Sequence, residues 1–246
     1  MATWLRFCLP AIIGLSCAAW IGGMRAEAQT SVDVQLVLAV DASGSVSNER
    51  FILQQRGYAS AFRSPRLLEA ILGGANRAIA VTMTQWTGPL QQIQVVPWMV
   101  VSDQRSMHAF ADAVDGAQRQ LFGGGTSISG AIDHAMTLLS DTDFVGGRRV
   151  IDVSGDGANN RGRPAEDARD DAVNQGVNIN GLPILSLEPN LDDYYRDNVI
   201  GGPGSFVVVA SSYESFADAV LKKLILEISA DGTWSGPFAV ASYEPE

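Results

Sequence analysis

The chain has 246 residues, 46% of them hydrophobic, which is enough for one substantial domain with a hydrophobic core. Acidic residues outnumber basic residues by 27 to 17, and the net charge of −10 repels nucleic acid and anionic membrane surfaces at long range. Lysine occurs only as the adjacent pair Lys222 and Lys223, so the chain has no basic cluster. These properties argue against a nucleic-acid-binding protein.

The N-terminal residues have the pattern of a secretory signal peptide. Arg6 precedes an apolar run over residues 7–21, and residues 26–28 (Ala-Glu-Ala) fit the small-x-small cleavage rule, so we expect residues 1–28 to be removed. An uncleaved membrane anchor is the alternative, but the run is shorter than the roughly 20 residues that span a bilayer. We therefore predict a periplasmic or secreted protein with no stable membrane insertion after cleavage.

The mature chain is predicted to form one domain. We assign residues 29–229 to this domain and residues 230–246, which lack clear periodicity, to an irregular or flexible tail. Both cysteines, Cys8 and Cys17, lie in the predicted leader. The stability of the exported domain must then come from packing and not from disulfides.

The first part of the domain predicts a strand, a helix and a hairpin. Val32–Val40 is almost continuously apolar, which is typical of a central strand covered on both faces. Ser47 can cap a helix that follows, and Pro65 is expected to end it. Ala78–Trp86 and Gln91–Val101 predict an antiparallel pair, with the second strand at the sheet edge because its proline cannot donate to a central ladder.

Helices and strands alternate in the rest of the domain. The predicted helices run from about Asp103 to Gln120, from just after Thr126, from Pro164 to near Gly176, and along the apolar stripe of 216–228. The predicted strands are Arg149–Ser154, with Gly146-Gly147 as the connection before it, Val177–Leu187 and Ser205–Ala210. This order predicts an α/β fold with a doubly wound, mostly parallel sheet, one antiparallel edge strand and helices on both faces. Ligands of such sheets bind outside the carboxyl ends of the strands.

Hard oxygen ligands occur in three loops at that predicted edge. Asp41, Ser43 and Ser45 follow the first strand at alternate positions, so their side chains can face one ion. Thr126 follows a run of three glycines, and Asp156 follows the strand that begins at Arg149. Carboxylate and hydroxyl oxygens suit Mg²⁺, with Mn²⁺ and Ca²⁺ as alternatives. The sequence therefore predicts a metal site.

These residues resemble the metal-ion-dependent adhesion site (MIDAS) of von Willebrand factor type A (vWFA) domains. The resemblance covers roughly 32–229 and implies a Rossmann-like vWFA fold. Residues 149–160 and 179–184 further resemble an exported bacterial vWFA-like family with no assigned function. The motif has three parts, which are Asp41-Ala-Ser43-Gly-Ser45, Thr126 and Asp156-Gly157.

The resemblance also implies a role for each motif residue. Ser43, Ser45 and Thr126 would bind the metal directly in at least one state, and Asp41 and Asp156 would bind it directly or through water. The ion would in turn bind an Asp or Glu of a protein partner. The prediction is an exported adhesion or assembly module, not an enzyme.

Two other functions are considered. A metal-dependent hydrolase of phosphate esters is one, because haloacid-dehalogenase-like phosphatases place their nucleophile at the end of the first strand, where Asp41 lies. Those enzymes need a second aspartate two residues later, and this chain has Ser43 there. An accessory subunit of an ATP-driven complex is the other, and the signal peptide argues against a cytosolic one.

Other polar residues are expected to have structural roles. Asp152 lies in an apolar strand, where an unpaired carboxylate is costly, so we expect a salt bridge with Arg148 or Arg149. Residues 159–161 (Asn-Asn-Arg) are expected to form a polar turn. Neither of the two histidines lies near a candidate nucleophile, so a catalytic triad has little support.

Overall fold

The computed structural model describes residues 29–229 together with Met1. In this part of the chain, strands are followed by single helices or by pairs of helices, apart from one pair of consecutive strands. The strands are β1 (Thr30–Asp41), β2 (Ile79–Trp86), β3 (Gln92–Val101), β4 (Phe144–Gly155) and β5 (Val177–Pro183). The helices are α1 (Asn48–Ala61), α2 (Pro65–Leu72), α3 (Gln104–Gly116), α4 (Ile128–Ser140), α5 (Ala165–Asn174), α6 (Leu191–Asn198) and α7 (Phe216–Ile228).

The five strands form one sheet in the order β3-β2-β1-β4-β5. β1 is central and pairs in parallel with β2 and β4, while β3 is antiparallel and lies at the edge. The predicted fold class is therefore confirmed. The register sets Asp41 opposite Trp86 and Val40 opposite Ser154, so the first and fourth strands end at the same edge of the sheet.

Helices cover both faces of the sheet. On one face, buried residues of α1, α2, α3 and α7 form a core with the apolar residues of β1 and β2, including Tyr58, Phe110 and Phe216. On the other face, α4, α5 and α6 pack on a second core that includes Ile132 and Tyr195. Because β1 contributes side chains to both cores, every residue from Val34 to Asp41 is buried, as the continuous apolar run predicts.

Three predicted boundaries before residue 150 are wrong. Pro65 does not end a helix but begins α2, where its missing N–H is not needed. α3 stops at Gly116, because the side chain of Gln85 accepts hydrogen bonds from the N–H groups of Gln120 (2.8 Å) and Leu121 (3.4 Å) and holds this segment against the sheet. Gly146-Gly147 is not a connection but part of β4, where a Cβ at Gly146 would lie 2.8 Å from the amide nitrogen of Gln35.

The end of the sheet also differs from the prediction. β5 stops at Pro183, and the sequence signals did not predict α6. Residues 205–210 do not form a strand but run beside β5 through isolated parallel bridges at Val207 and Ala210. The ladder is interrupted because the side-chain oxygen of Asn180 accepts the N–H of Phe206 at 3.0 Å.

The C-terminal end of α7 lies at the edge of the sheet where β1 begins. Arg148, near the start of β4, donates hydrogen bonds to the carbonyls of Glu227 (2.7 Å) and Ile228 (2.9 Å). A guanidinium at these carbonyls satisfies acceptors that have no partner within the helix. The predicted pairing of Asp152 with Arg148 or Arg149 is therefore wrong, since Arg148 caps α7 and Arg149 donates to the carbonyl of Gln175.

The predicted leader (1–28) and the predicted tail (230–246) lie outside the described residues, and the division into leader, domain and tail stays a prediction. Over residues 29–229, none of the helices combines the length and the apolar character needed to cross a bilayer.

Candidate metal centre

The first motif loop turns directly out of β1. Asp41 is the last residue of the strand and is fully buried. Its Oδ1 accepts the N–H of Ser43 at 2.7 Å, and the N–H of Ala42 still bonds to the carbonyl of Trp86 at 2.9 Å. The carboxylate is thus held by the loop that it begins, and this turn brings Ser43 and Ser45 to the same side.

The first and third motif loops are joined by hydrogen bonds. The hydroxyl of Ser45 lies 3.1 Å from that of Ser43 and donates to Oδ1 of Asp156 at 2.5 Å. The N–H of Asp156 lies 3.4 Å from Oδ2 of Asp41. Four of the five predicted ligands therefore form one connected cluster at the carboxyl edge of the sheet.

Thr126 reaches the same place from the loop before α4. Its side chain is nearly buried beside Gly157, where a Cβ would lie 3.8 Å from the Thr126 hydroxyl oxygen. The preceding Gly123 and Gly124 have φ of +70° and +77°, a left-handed conformation that glycine adopts without strain. This turn passes close to the first loop, since a Cβ at Gly44 would lie 3.6 Å from the Cα of Gly123.

Residues predicted to form only a polar turn hold Thr126 in position. The side-chain oxygen of Asn160 accepts the N–H of Thr126 at 2.9 Å, and the carbonyl of Thr126 accepts the N–H groups of Asn160 (2.9 Å) and Arg161 (3.2 Å). Asn159 accepts the N–H of Ser129 at 3.2 Å. The turn therefore links the second and third motif loops.

The electrostatics of the cluster favour a bound cation. Asp41 and Asp156 are both buried, and burial together with the charge of Asp156 raises the pKa of Asp41 from 3.8 to about 7. The nearest cation to Asp156 is Arg50, whose Nη1 lies 3.6 Å from Oδ2 on a side chain that is about one-third exposed. Two adjacent carboxylates buried this deeply are costly even beside an arginine, and a divalent ion would offset that cost.

Several residues around the cluster were not predicted. Tyr213, just before α7, donates a hydrogen bond to Oδ2 of Asp156 at 2.9 Å. Arg119 donates to the carbonyls of Ala42 (3.0 Å) and Ser43 (3.3 Å), and its guanidinium lies over the ring of Phe122. These contacts join residues that are distant in sequence, so spacing along the chain carries no signal for them.

Two further groups approach the centre from α6 and from the loop after β5. The hydroxyl of Tyr195 is buried and has no hydrogen-bond partner among the described residues. A Cβ at Gly155 would lie 3.0 Å from this hydroxyl and 2.9 Å from Oδ2 of Asp41, so only glycine leaves room there. The carboxylate of Glu188 accepts the N–H of Ala158 at 3.3 Å.

The donor set fits a hard divalent ion. Two carboxylates and three hydroxyls are oxygen ligands of the kind that Mg²⁺ accepts alongside water. Within residues 29–229, no group of three or more His, Cys, Asp or Glu side chains could hold a metal ion. A site that binds a metal through this cluster would therefore depend on its serine and threonine oxygens.

Solved structures of other proteins share this fold. Proximal thread matrix protein 1 of the mussel byssus, solved with a zinc-occupied MIDAS motif, is 14% identical with a TM-score of 0.57 over 80% of this chain and 46% of its own. The pilus adhesin SpaC of Lactobacillus rhamnosus GG is 16% identical with a TM-score of 0.57 over 81% of this chain and 30% of its own. A von Willebrand factor type A protein of Catenulispora acidiphila is 16% identical with a TM-score of 0.50 over 80% and 43%.

The chain therefore corresponds to less than half the length of each of these proteins. The chain has no significant match among curated proteins. The family model described as "Protein of unknown function (DUF1194)" matches residues 31–232, which is most of the chain. The chain thus has the vWFA fold and belongs to the DUF1194 family.

Proposed function

We propose that the domain binds a divalent ion, Mg²⁺ in the first instance, and uses it to bind a carboxylate of a protein partner. The ligands would be Asp41, Ser43, Ser45, Thr126 and Asp156. The observation that carries the proposal is the convergence of three separate loops on one buried cluster in which Ser45 contacts both Ser43 and Asp156.

The bound ion would supply positive charge and an open coordination position to an acidic group. The protein's own charges favour the same partner. Asp41 and Asp156 together would balance the ion, while Arg50 and Arg119 add two positive charges close to the loops. The exposed carboxylates of Glu188 and Glu214 offset part of this charge, so the attraction for an anion would come from the ion and the two arginines directly beside it.

Hydrogen bonds to Asp156 would leave the ion more electrophilic. Oδ1 of Asp156 accepts a hydrogen bond from the hydroxyl of Ser45, and Oδ2 accepts one from the hydroxyl of Tyr213. Both carboxylate oxygens therefore already share their charge with hydroxyl donors. A ligand carboxylate that is shared in this way neutralises an ion less completely. The partner's acidic group would then complete the neutralisation.

Similarity to other proteins supports this function without assigning it. The mussel protein was solved with zinc in its MIDAS motif, and SpaC is a pilus adhesin. We further propose that the domain acts in the periplasm or outside the cell, on the evidence of its predicted leader. No enzymatic step is needed for this role.

The first test is metal binding by calorimetry. Thr126→Ala removes one hydroxyl ligand and should weaken Mg²⁺ binding about tenfold, which is about 1.4 kcal/mol. Thr137→Ala is the matched control, because its hydroxyl only bonds to a carbonyl of its own helix, and it should bind like the wild type. Equal affinity in all three proteins would rule out Thr126 as a ligand.

The second test is partner binding. The purified domain is used to capture envelope proteins in Mg²⁺ and in chelator, and the experiment is repeated with Thr126→Ala and Thr137→Ala. Partners should elute with chelator and should be lost with Thr126→Ala only. A partner that stays bound in chelator would show that the ion is not the contact.

A further inference from the structure

Three ionisable side chains are buried together between β4 and α7, away from the candidate metal centre. Lys223, Asp152 and Glu227 are each at most 1% exposed. Nζ of Lys223 lies 2.7 Å from Oδ1 of Asp152 and also contacts Oε1 of Glu227. The cluster is thus a buried amine held between two buried carboxyl groups.

The charges of this cluster do not balance. Two carboxylates and one ammonium would leave a negative charge in an apolar core, which is costly. Burial raises the pKa of Asp152, and burial followed by the charge of Asp152 raises the pKa of Glu227 to about 7. The excess negative charge and the burial therefore favour the neutral carboxylic acid form of one of the two groups.

Hydrogen bonding distinguishes the two acids. The amide nitrogen of Asn180 donates to Oε1 of Glu227 at 3.1 Å, which orients that carboxyl group. Nζ of Lys223 approaches Oδ1 of Asp152 at 2.7 Å, and no second donor among the described residues bonds to the oxygens of Asp152. Asn180 therefore holds Glu227 in place, which suits it to transfer protons, while Asp152 has only the amine beside it and is the acid left open to attack.

We propose that Lys223 and Asp152 condense to an isopeptide bond, with Glu227 as the proton-transfer residue. A proton first passes from the ammonium to the aspartate, which gives a neutral amine and a carboxylic acid. The Nζ lone pair attacks Cγ of Asp152. Glu227 takes a proton from Nζ and gives a proton to the departing hydroxyl, so the C–O bond breaks, the C–N bond forms and one water molecule leaves.

The geometry places the reacting groups close together. Nζ lies 2.7 Å from Oδ1 of Asp152, and a carboxyl C–O bond is about 1.2 Å long, so Nζ lies within about 4 Å of Cγ. Reacting atoms in a near-attack arrangement are about 3–3.5 Å apart. Asp152 is fixed in the sheet opposite Leu38 and Asn180. Lys223 and Glu227 lie one turn apart on α7 and so face the aspartate together.

The surroundings favour the product. The ring of Phe206 lies 5.8 Å from Nζ, and the cluster borders the apolar core formed by β1, α1 and α7. Condensation removes both charges from this core and releases water to solvent. The reaction consumes only groups of the chain itself, so it needs no cofactor, oxidant or nucleotide.

The bond would link the last helix to the centre of the sheet. The closed loop would contain α5, β5 and α6 as well as the start of α7. A cross-link of this kind lowers the entropy of the unfolded chain, as a disulfide does. Both cysteines lie in the predicted leader. The isopeptide bond would therefore cross-link a domain that has no cysteine of its own.

The test is the mass of the purified mature protein after denaturation. Its N-terminus is first identified by peptide mapping, and the intact mass is then compared with the mass calculated from the sequence. The expected protein is lighter by one water, and its digest contains one branched peptide that joins Lys223 to Asp152. A full calculated mass, with the two residues in separate peptides, would overturn the proposal.

Two variants identify the roles of the residues. Glu227→Gln keeps the shape of the side chain but cannot transfer the proton, so it should show its full calculated mass. Asp152→Asn offers an amide in place of the acid, and condensation would then release ammonia instead of water. A branched peptide that joins Lys223 to Glu227 would overturn the assignment of Asp152, and a bond that forms in Glu227→Gln at the wild-type yield would overturn the role of Glu227.

Discussion

The hydroxyl of Tyr213 donates a 2.9 Å hydrogen bond to Oδ2 of Asp156 and so connects the start of α7 with the third loop of the candidate metal centre. Tyr213 is almost fully buried, and the adjacent charge of Asp156 adds to burial in raising its pKa. The phenol therefore stays protonated and acts only as a donor. Its role is to fix the orientation of one candidate ligand.

Tyr213→Phe should weaken Mg²⁺ binding about tenfold, because residues that orient a metal ligand contribute about 10-fold to 100-fold to affinity. The measurement is calorimetric titration with Mg²⁺. Tyr58→Phe is the control, since it removes an equally buried hydroxyl that bonds to Ser154 at 3.2 Å. It should cost about 1 kcal/mol of stability with unchanged affinity, and equal affinities of the two variants would contradict the role of Tyr213.

The raised pKa of Asp41 should make the stability of the metal-free protein depend on pH. Its pKa is raised from 3.8 to about 7 by burial and by Asp156, so the folded state binds more protons than the unfolded state between these values. Stability should therefore fall as the pH rises through this range, by about 4 kcal/mol at most. Mg²⁺ binds the ionised form, so it should raise the unfolding temperature more at about pH 8 than at about pH 5.

Thermal unfolding in chelator, measured from about pH 4 to about pH 8, checks this dependence. Asp41→Asn should remove the part of the slope that comes from Asp41. Glu227 also has a pKa raised to about 7 and is unchanged in the variant, so any slope that it contributes persists in both proteins. Identical pH profiles for the two proteins would exclude Asp41 as the source.

Gly155→Ala should disturb the candidate metal centre, because the added methyl group would clash with its neighbours. A Cβ at this position would lie 2.9 Å from Oδ2 of Asp41 and 3.3 Å from the ring of Trp86. We expect a loss of about 1–3 kcal/mol in the free energy of unfolding, as in other overpacked sites. Mg²⁺ affinity should fall with it, because Asp41 is displaced.

Gly116→Ala provides the matched control, since no atom lies within 4 Å of a Cβ at the end of α3. It should leave stability unchanged or raise it slightly, by less than about 1 kcal/mol. Denaturant unfolding and calorimetry compare the two variants. Wild-type affinity in Gly155→Ala would mean that Asp41 has more freedom than its burial indicates.

Arg119→Met should weaken Mg²⁺ binding without removing a ligand. The guanidinium donates to the carbonyls of Ala42 and Ser43 and to the side chain of Asn48, and methionine keeps only an apolar stem. We expect a loss of about threefold to tenfold in affinity, which is on the scale of one ordinary hydrogen bond because the effect on the ion is indirect. Arg105→Met, at an exposed position of α3, is the control and should bind as the wild type does.

Much of the fold follows from local patterns. The apolar run of β1, the edge proline of β3 and the cap at Ser47 each carry their signal within a few residues, and all three are confirmed. The two missed helices are short. α2 begins at a proline that also fits a helix stop, and α6 buries only Leu191 and Tyr195, which is too little for a clear periodic pattern.

The positions of the candidate ligands likewise follow from local patterns, whereas those of the residues around them do not. Asp41, Thr126 and Asp156 could be predicted because each lies next to the end of a strand or the start of a helix. Their surroundings could not be predicted, because Tyr213 and Arg119 reach the centre from elements whose position depends on the packing of the whole domain. Lys223 is the clearest case, since its contact with Asp152 depends on how α7 lies along β4.

The two ends of the described domain leave the molecule on the side opposite the candidate metal centre. Thr30 begins β1, and Arg148 binds the last carbonyls of α7 at the same edge of the sheet. The 12 residues of β1 separate this edge from Asp41 by about 40 Å. A support, fusion partner or fluorophore attached at the start of β1 or at the end of α7 would therefore leave the candidate metal centre facing solution.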